Sequence, residues 1–209
     1  MSGHHDHSHG HGDHGHDLPF WRKYIFSVDH KVIGCQYTFT ALLFLFFGFT
    51  LMMIMRWQLA YPGQPIPFIG KYLSADIAAD GVLVGDGYNA FGAMHGTIMV
   101  FLAIVPLVQC GAPDMAFPKL NMASYWVYFC GGVTMIASFF IKGGAAASGW
   151  TSYPPLSVFA SSGQTMWLWG MVLLITSSLL GSVNFIVTTV QMRVKGLSFF
   201  RLPFFVWAQ

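Results

Sequence analysis

One histidine of this sequence lies inside a long apolar stretch, where its imidazole could serve as a metal ligand. His95 is flanked by Met94 and Gly96. A polar side chain inside an apolar span is costly and therefore suggests a function. A small neighbour such as Gly96 lets a flat cofactor approach the helix, and neutral imidazole is a common axial ligand of haem iron. The residues alone leave two interpretations open for His95: a haem ligand, or a side chain satisfied by a neighbouring helix.

Two charged residues near the ends of apolar stretches also allow two interpretations each. Arg56 is either an interfacial cation whose stem lies along the membrane, or a donor to a polar substituent of a bound cofactor. Asp114 lies in a Gly-Ala-Pro-Asp turn. Its carboxylate would either collect protons at the mouth of a channel or cap the helix that follows.

Several polar residues are spaced so that they share one face of a helix. Asn121 and Ser124 are three residues apart, and Ser177 and Asn184 are seven apart, with Ser178 alongside. Residues at these spacings lie on the same helix face. The stripe of Ser177, Gly181 and Asn184 indicates either a packing seam of small residues with interhelical hydrogen bonds or a lining for ordered water.

The N-terminus is rich in histidine, alternating with Gly, Asp and Ser. Imidazole binds copper, zinc and nickel well, and a flexible tract can hold such a metal loosely. Residues 1–19 are therefore predicted to be a disordered, solvated tail with weak metal affinity at His4, His5, His7, His9, His11, His14 and His16.

The composition requires a membrane protein. Only 9% of the residues are charged, whereas a soluble domain has about a quarter. Each of four apolar stretches approaches or exceeds the roughly 20 residues that cross a bilayer as a helix. We therefore expect an all-α, polytopic transmembrane bundle with about four spans, and a fifth apolar run begins at Leu202. The four stretches are residues 35–55, 90–109, 122–141 and 165–190.

Basic residues indicate the orientation of the chain. Those at one end of the predicted spans are Arg22, Lys23, Lys31, Lys119, Arg193, Lys195 and Arg201, whereas Arg56, Lys71 and Lys142 share the other end with three aspartates. Because lysine and arginine favour the cytoplasmic side, the N-terminus is predicted to be cytoplasmic, in a bacterial inner membrane. Residues 20–34 mix aromatic and basic residues and are predicted to lie at the headgroups, which leaves residues 35–209 as the transmembrane part.

Six stretches, in this order, carry a resemblance to a known family. They are FSVDHKVIG (26–34), MHGTIMVF (94–101), GAPDMAFP (111–118), GWTSYPPL (149–156), NFIVTT (184–189) and PFFVW (203–207). Together they resemble subunit I of the haem–copper terminal oxidases, and the GAPDMAFP turn is most similar to the cytochrome c oxidase branch. The resemblance implies the first third of a twelve-helix membrane fold.

The resemblance also implies a role for individual residues. His95 matches an axial ligand of the low-spin haem, and Arg56 matches the donor to the formyl group of a haem a. Tyr88 and Trp150 match residues near the haem propionates. Asp114 matches the entrance of a proton-uptake path, whose polar lining is matched by Tyr37, Asn121, Ser124, Ser177, Ser178 and Asn184.

Two departures from the family's pattern limit these implications. A Gly- and Asn-containing stretch that precedes the GAPDMAFP turn in the family is absent, since Cys110 runs directly into Gly111. This makes the role of Asp114 less secure than that of His95. The family's copper ligands, its second low-spin haem ligand and the ligand of its oxygen-binding haem lie later than this chain, so we expect the chain alone to reduce no oxygen.

These observations predict part of the catalytic subunit of a respiratory oxidase that reduces dioxygen to water with electrons from cytochrome c. The expected partners are the remaining helices of subunit I, subunits II and III, cytochrome c and membrane lipid, but not nucleic acid. Two alternatives are a quinol oxidase of the same superfamily and a non-catalytic membrane paralogue whose histidine-rich tail binds metal.

Overall fold

The computed structural model describes residues 19–104 and 115–192, together with residues 200 and 202. The first long helix, α1 (His30–Ala60), begins where the carboxylate of Asp29 accepts a hydrogen bond from the backbone N–H of Lys31 at 2.9 Å. This is the usual way in which an aspartate caps a helix. At about 1.5 Å per residue the helix is about 46 Å long, which exceeds the roughly 30 Å of a bilayer core.

A loop with a small hairpin joins α1 to the next helix. Strands β1 (Ala78–Ala79) and β2 (Val82–Leu83) pair antiparallel, with Ala78 opposite Leu83. Asp80 and Gly81 form the turn, with φ values of 52° and 83°. Two consecutive positive φ angles define the tight hairpin turn for which Asp-Gly is a favoured sequence.

Three further helices follow. Helix α2 (Gly85–Thr97) carries His95 in its last turn and continues as a wider π-type segment over Ile98–Ile104. Helix α3 (Pro118–Ala137) has its proline in the first turn, where the missing N–H costs nothing, and ends in the 3-10 turn Ser138–Phe140. Helix α4 (Ser162–Gln191) has 30 residues.

Within the described residues, three helical stretches are long and apolar enough to cross a membrane: His30–Ala60, Pro118–Phe140 and Ser162–Gln191. They correspond to the first, third and fourth predicted spans. The second predicted span is helical as far as residue 104, and its remainder lies outside the described residues. The predicted fold class, a polytopic helical membrane protein, is confirmed.

Glycines allow α3 and α4 to pack closely. A Cβ added to Gly131 would lie 3.1 Å from the carbonyl oxygen of Gly170, and one added to Gly170 would lie 2.6 Å from Cγ of Met135. Small residues allow such close approach between membrane helices, where packing rather than the hydrophobic effect drives association. This pairing fixes the polar face of α4 against α3.

Candidate functional site

His95 is held by the backbone of the neighbouring helix. Its Nδ1 lies 2.8 Å from the carbonyl oxygen of Gly48 in α1, and the side chain is half-buried. A carbonyl oxygen can only accept, so Nδ1 carries the proton and donates it. In a neutral imidazole this leaves the lone pair of Nε2 as the acceptor. The arrangement is the one that orients a metal-binding histidine, whose other ring N–H usually donates to a carboxylate or carbonyl group.

The contact depends on close packing between α1 and α2. A Cβ added to Gly48 would lie 3.0 Å from Sδ of Met99, and one added to Gly92 would lie 3.4 Å from Cε of Met55. Residue numbers therefore rise from Gly48 to Met55 in α1 while those of the contacting residues fall from Met99 to Gly92. The two helices are antiparallel where they meet His95.

This antiparallel packing places Arg56 and Tyr88 towards the same end of the site. Arg56 follows Gly48 by eight residues and Tyr88 precedes His95 by seven, so each is displaced along its helix axis by roughly 10–12 Å. Arg56 is exposed, whereas Tyr88 is partly buried against the core. An exposed guanidinium and a phenol displaced in this way could contact the polar edge of a flat molecule that His95 ligates.

Trp150 packs against α2 on the face where Gly96, the residue after His95, lacks a side chain. Its Cδ1 is 3.9 Å from the position that a Cβ on Gly96 would occupy, and its ring centroid is 6.3 Å from that of Phe101. The indole is 58% exposed. Of the four predicted cofactor residues, His95 and Tyr88 therefore belong to α2 and Trp150 packs against it. Arg56 belongs to α1, the helix that orients His95.

A second group of predicted residues forms a buried hydrogen-bonded cluster between α1, α3 and α4. The hydroxyl of Tyr37 lies 2.9 Å from that of Ser124, which donates to the carbonyl oxygen of Asn121 at 2.7 Å. Ser177 donates to the carbonyl oxygen of Ser124 at 2.7 Å. Four of the predicted proton-path residues therefore converge, and they do so as the seam of interhelical hydrogen bonds that the alternative interpretation describes.

Asn184 lies further along α4 and binds the start of α3. Its Oδ1 accepts from the backbone N–H of Phe117 at 2.9 Å, and its Nδ2 donates to the carbonyl oxygen of the same residue at 3.2 Å. Phe117 occupies the N-cap position of α3. The helix therefore begins at Pro118, with the amide of Asn184 bound to the backbone of its N-cap residue, whereas Asp114, the predicted alternative cap, lies outside the described residues.

Other predicted residues lie elsewhere. Ser178 is on the exposed side of α4, where its carbonyl oxygen accepts a hydrogen bond from Ser182. Asp114 and the seven histidines of the tail lie outside the described residues. Across residues 19–104 and 115–192, no three His, Cys, Asp or Glu side chains come close enough together to hold a metal ion.

Sequence reasoning missed three contributors to these clusters. Gly48 acts through its carbonyl oxygen, which leaves no signature in a side chain. Thr97, a buried residue two positions after His95, accepts from the indole N–H of Trp167 at 3.2 Å. Thr188 accepts from the backbone N–H of Ala116 at 2.8 Å. Its position four residues after Asn184 extends the polar stripe, and that spacing could have identified it.

Taken together, the spans and the buried polar clusters define a polytopic helical membrane protein with one histidine oriented for ligation. The chain belongs to the family described as Cytochrome C and Quinol oxidase polypeptide I, which matches residues 32–209. This confirms the predicted relationship to the oxidases.

Curated relatives are similar over most of this chain. Cytochrome c oxidase subunit 1 of Synechocystis is 40% identical over 200 residues, which cover 90% of this chain and 33% of the relative. The protein of the same name in Thermostichus vulcanus is 42% identical over 201 residues, again 90% of this chain and 33% of the relative. A probable cytochrome c oxidase subunit 1-alpha of Streptomyces avermitilis is 37% identical, with 88% and 31% covered. The chain therefore spans about a third of the length of these relatives.

Proposed function

We propose that this chain is part of the catalytic subunit of a respiratory terminal oxidase and that His95 supplies one axial ligand to its low-spin haem. The observation that carries this is the hydrogen bond from Nδ1 of His95 to the carbonyl oxygen of Gly48. It fixes the tautomer in which Nε2 can ligate iron. A haem would suit a lone histidine, because the cofactor itself would supply most of the iron's ligands and the protein would have to add few.

The bound haem would carry electrons, and the residues of this chain would hold and tune it. His95 would set its position, and the carbonyl of Gly48 would raise the basicity of the imidazole. Arg56 would donate to a polar substituent, as expected for a haem a, and Tyr88 would lie towards the same edge, whereas Trp150 would lie beside His95, against Gly96. Gly96 beside His95 carries no Cβ, and the indole of Trp150 lies against that face, 3.9 Å from where a Cβ would be.

In the complete enzyme, dioxygen would be reduced to water with electrons from cytochrome c. We favour cytochrome c over quinol because the relatives above are cytochrome c oxidases by name, although the family's description includes both donors. The remaining helices of subunit I and subunits II and III would complete the assembly. Protons would enter at Asp114 and move along the cluster that contains Tyr37, Ser124 and Ser177.

The test is spectroscopic and uses the chain assembled with the remaining parts of the oxidase. His95→Gly should remove the low-spin haem absorption band, because the iron loses one of its two axial ligands. Added imidazole should restore the band, since it can occupy the space left by the side chain. His30→Gly, at the first turn of α1, is the matched control and should keep the band without imidazole. A low-spin band that persists in His95→Gly before imidazole is added would contradict the assignment.

A further inference from the structure

The segment that precedes α1 presents aromatic rings and basic side chains to the outside. We name Phe20–Phe26, of sequence FWRKYIF, the aromatic–basic segment. The exposed fractions of Phe20, Trp21, Tyr24 and Phe26 are 63%, 64%, 48% and 56%. Aromatic residues at such exposure are unusual in water but favourable at the headgroup level of a membrane, where their rings are partly apolar and partly hydrated.

Two contacts hold this segment against the helices. The side-chain amide of Gln36 in α1 donates to the carbonyl oxygens of Tyr24 and Ile25, at 2.6 and 3.0 Å. The ring of Phe26 stacks on that of Trp126 in α3, with centroids 5.3 Å apart and planes at 27°. The segment is therefore attached to two of the membrane-spanning helices, so its exposed rings have a fixed position at this end of the molecule.

The charge of this surface is positive. Arg22 and Lys23 are exposed within the segment. Lys31, in the first turn of α1, and Lys119, in the first turn of α3, are exposed as well. The one carboxylate between Phe20 and Lys31 is Asp29, which is engaged in capping α1. Clusters of lysine and arginine next to a membrane attract anionic lipid headgroups.

An apolar depression adjoins the segment. It has a volume of about 630 Å³ and is lined by Val28 and by residues 116–120 at the start of α3. Among the residues that the structure describes, Lys119 is the only charged one in this lining. An open apolar surface with a cation in its lining suits the upper part of an acyl chain whose headgroup is anionic.

From these observations we propose that the aromatic–basic segment is a binding surface for anionic phospholipid, with Arg22 and Lys23 contacting the phosphate and Trp21 lying among the upper acyl chains. The proposal concerns a lipid partner and does not depend on the haem or on electron transfer. It requires only that the segment stays in place on α1 and α3, as the contacts of Gln36 and Phe26 indicate.

The experiment uses the full chain in vesicles of phosphatidylcholine. A small fraction of the lipid is replaced by a quencher whose acyl chains are brominated near the headgroup, either phosphatidylcholine or phosphatidylglycerol. The emission of Trp21 is isolated by subtracting the signal of a Trp21→Phe variant. We expect brominated phosphatidylglycerol to quench Trp21 more strongly than brominated phosphatidylcholine. Because each cation near an anionic surface favours anionic lipid by about fivefold, the preference should be several-fold at low salt and should fall as salt is added.

Charge variants separate the proposal from general membrane contact. Arg22→Gln with Lys23→Gln should remove most of the preference while quenching by phosphatidylcholine persists. Lys71→Gln with Lys142→Gln, at the other end of the helices, is the matched control and should leave the preference intact. Equal quenching of the unaltered chain by both lipids, or a preference that survives in the Arg22/Lys23 variant, would overturn the proposal. All four substituted residues are exposed, so little effect on folding is expected, and helix content by circular dichroism checks this.

Discussion

At the scale of single residues, the contact between Tyr37 and Ser124 has a defined direction. Ser124 uses its hydroxyl proton to donate to the carbonyl oxygen of Asn121. A serine hydroxyl has one proton, so in the contact between the two hydroxyls Tyr37 donates and Ser124 accepts. The result is an oriented chain of hydrogen bonds from α1 to the first turn of α3. Because this chain ends at a peptide carbonyl oxygen, which has no proton to give, it passes a proton onward only when the Ser124 hydroxyl rotates away from Asn121.

Tyr37→Phe tests whether this chain carries protons or only joins helices. Removing the phenol should lower the free energy of unfolding by about 0.5–1.5 kcal/mol, the usual net value of one hydrogen bond. Tyr125→Phe is the matched control, because Tyr125 is also buried and its hydroxyl lies 2.9 Å from that of Thr40. In the assembled oxidase, proton uptake followed with a pH-indicator dye should slow in Tyr37→Phe and stay normal in Tyr125→Phe. Equal slowing in both variants would favour a purely structural role.

At the scale of helices, the distance between α1 and α2 at Gly48 controls the orientation of His95. A Cβ at this position would lie 3.0 and 3.2 Å from Sδ and Cγ of Met99, and 3.3 Å from Cγ2 of Ile98. Alanine can be accommodated if the flexible Met99 side chain shifts. A larger side chain would separate the helices and lengthen the hydrogen bond from His95.

Gly48→Leu should therefore alter the low-spin haem of the assembled oxidase without removing its ligand. We expect a broader absorption band and a shifted reduction potential, measured by redox titration, because the imidazole loses the acceptor that orients it. Gly48→Ala should show a smaller shift. Gly34→Leu, on the same helix with nothing within 4 Å of an added Cβ, should behave like the unaltered chain. An unchanged potential in Gly48→Leu would contradict the role given to this carbonyl.

The helices show why some features were predictable from the sequence and others were not. Hydropathy located α1 because lipid-facing residues are apolar, but it predicted residues 35–55, whereas the helix runs over His30–Ala60. The additional turns are polar or interfacial and are held by the Asp29 cap and by backbone hydrogen bonds, to which hydropathy does not respond. The shared face of Ser177 and Asn184 followed from spacing alone. Their partners did not, since Ser124 and Phe117 contribute backbone oxygens that carry no sequence signal.

At the scale of the whole molecule, apolar side chains fill the interior and also cover much of the exterior, and some polar side chains are buried between the helices. Buried positions include Thr40, Ser124, Ser177 and Asn184, whereas Phe39 and Phe46 of α1 are each 73% exposed. Polar side chains therefore pair inside the bundle, where each hydrogen bond replaces one that water cannot supply. The apolar outer surface suits lipid or further helices.

The two ends of the molecule differ in charge. At one end, Val28 and the start of α3 border the same depression, which places Arg22, Lys23, Lys31 and Lys119 towards one surface. At the other end, Asp76 accepts a hydrogen bond from the backbone N–H of Gly143 at 2.9 Å, and this contact joins the loop after α1 to the loop after α3. Lys71 and Lys142 lie in these two loops, of which the first also contains Asp76 and Asp80, and Asp86 lies in the first turn of α2. The excess of basic residues predicts that the first end faces the cytoplasm.

Cysteine labelling in bacterial cells tests this orientation. In a chain whose three cysteines, Cys35, Cys110 and Cys130, are replaced by alanine, single cysteines are introduced as Lys71→Cys and Lys119→Cys. Both lysines are exposed, so each new thiol should react freely where the reagent can reach it. A membrane-impermeant maleimide should label Lys71→Cys in intact spheroplasts and Lys119→Cys only after the membrane is permeabilised. Lys119 lies at the start of α3, whereas Lys71 lies in the loop that contacts the far end of α3 through Asp76 and Gly143. The reverse pattern would place the aromatic–basic segment and the hydrogen-bonded cluster of Tyr37, Ser124 and Ser177 towards the periplasmic side. The proposed direction of proton uptake would then be wrong.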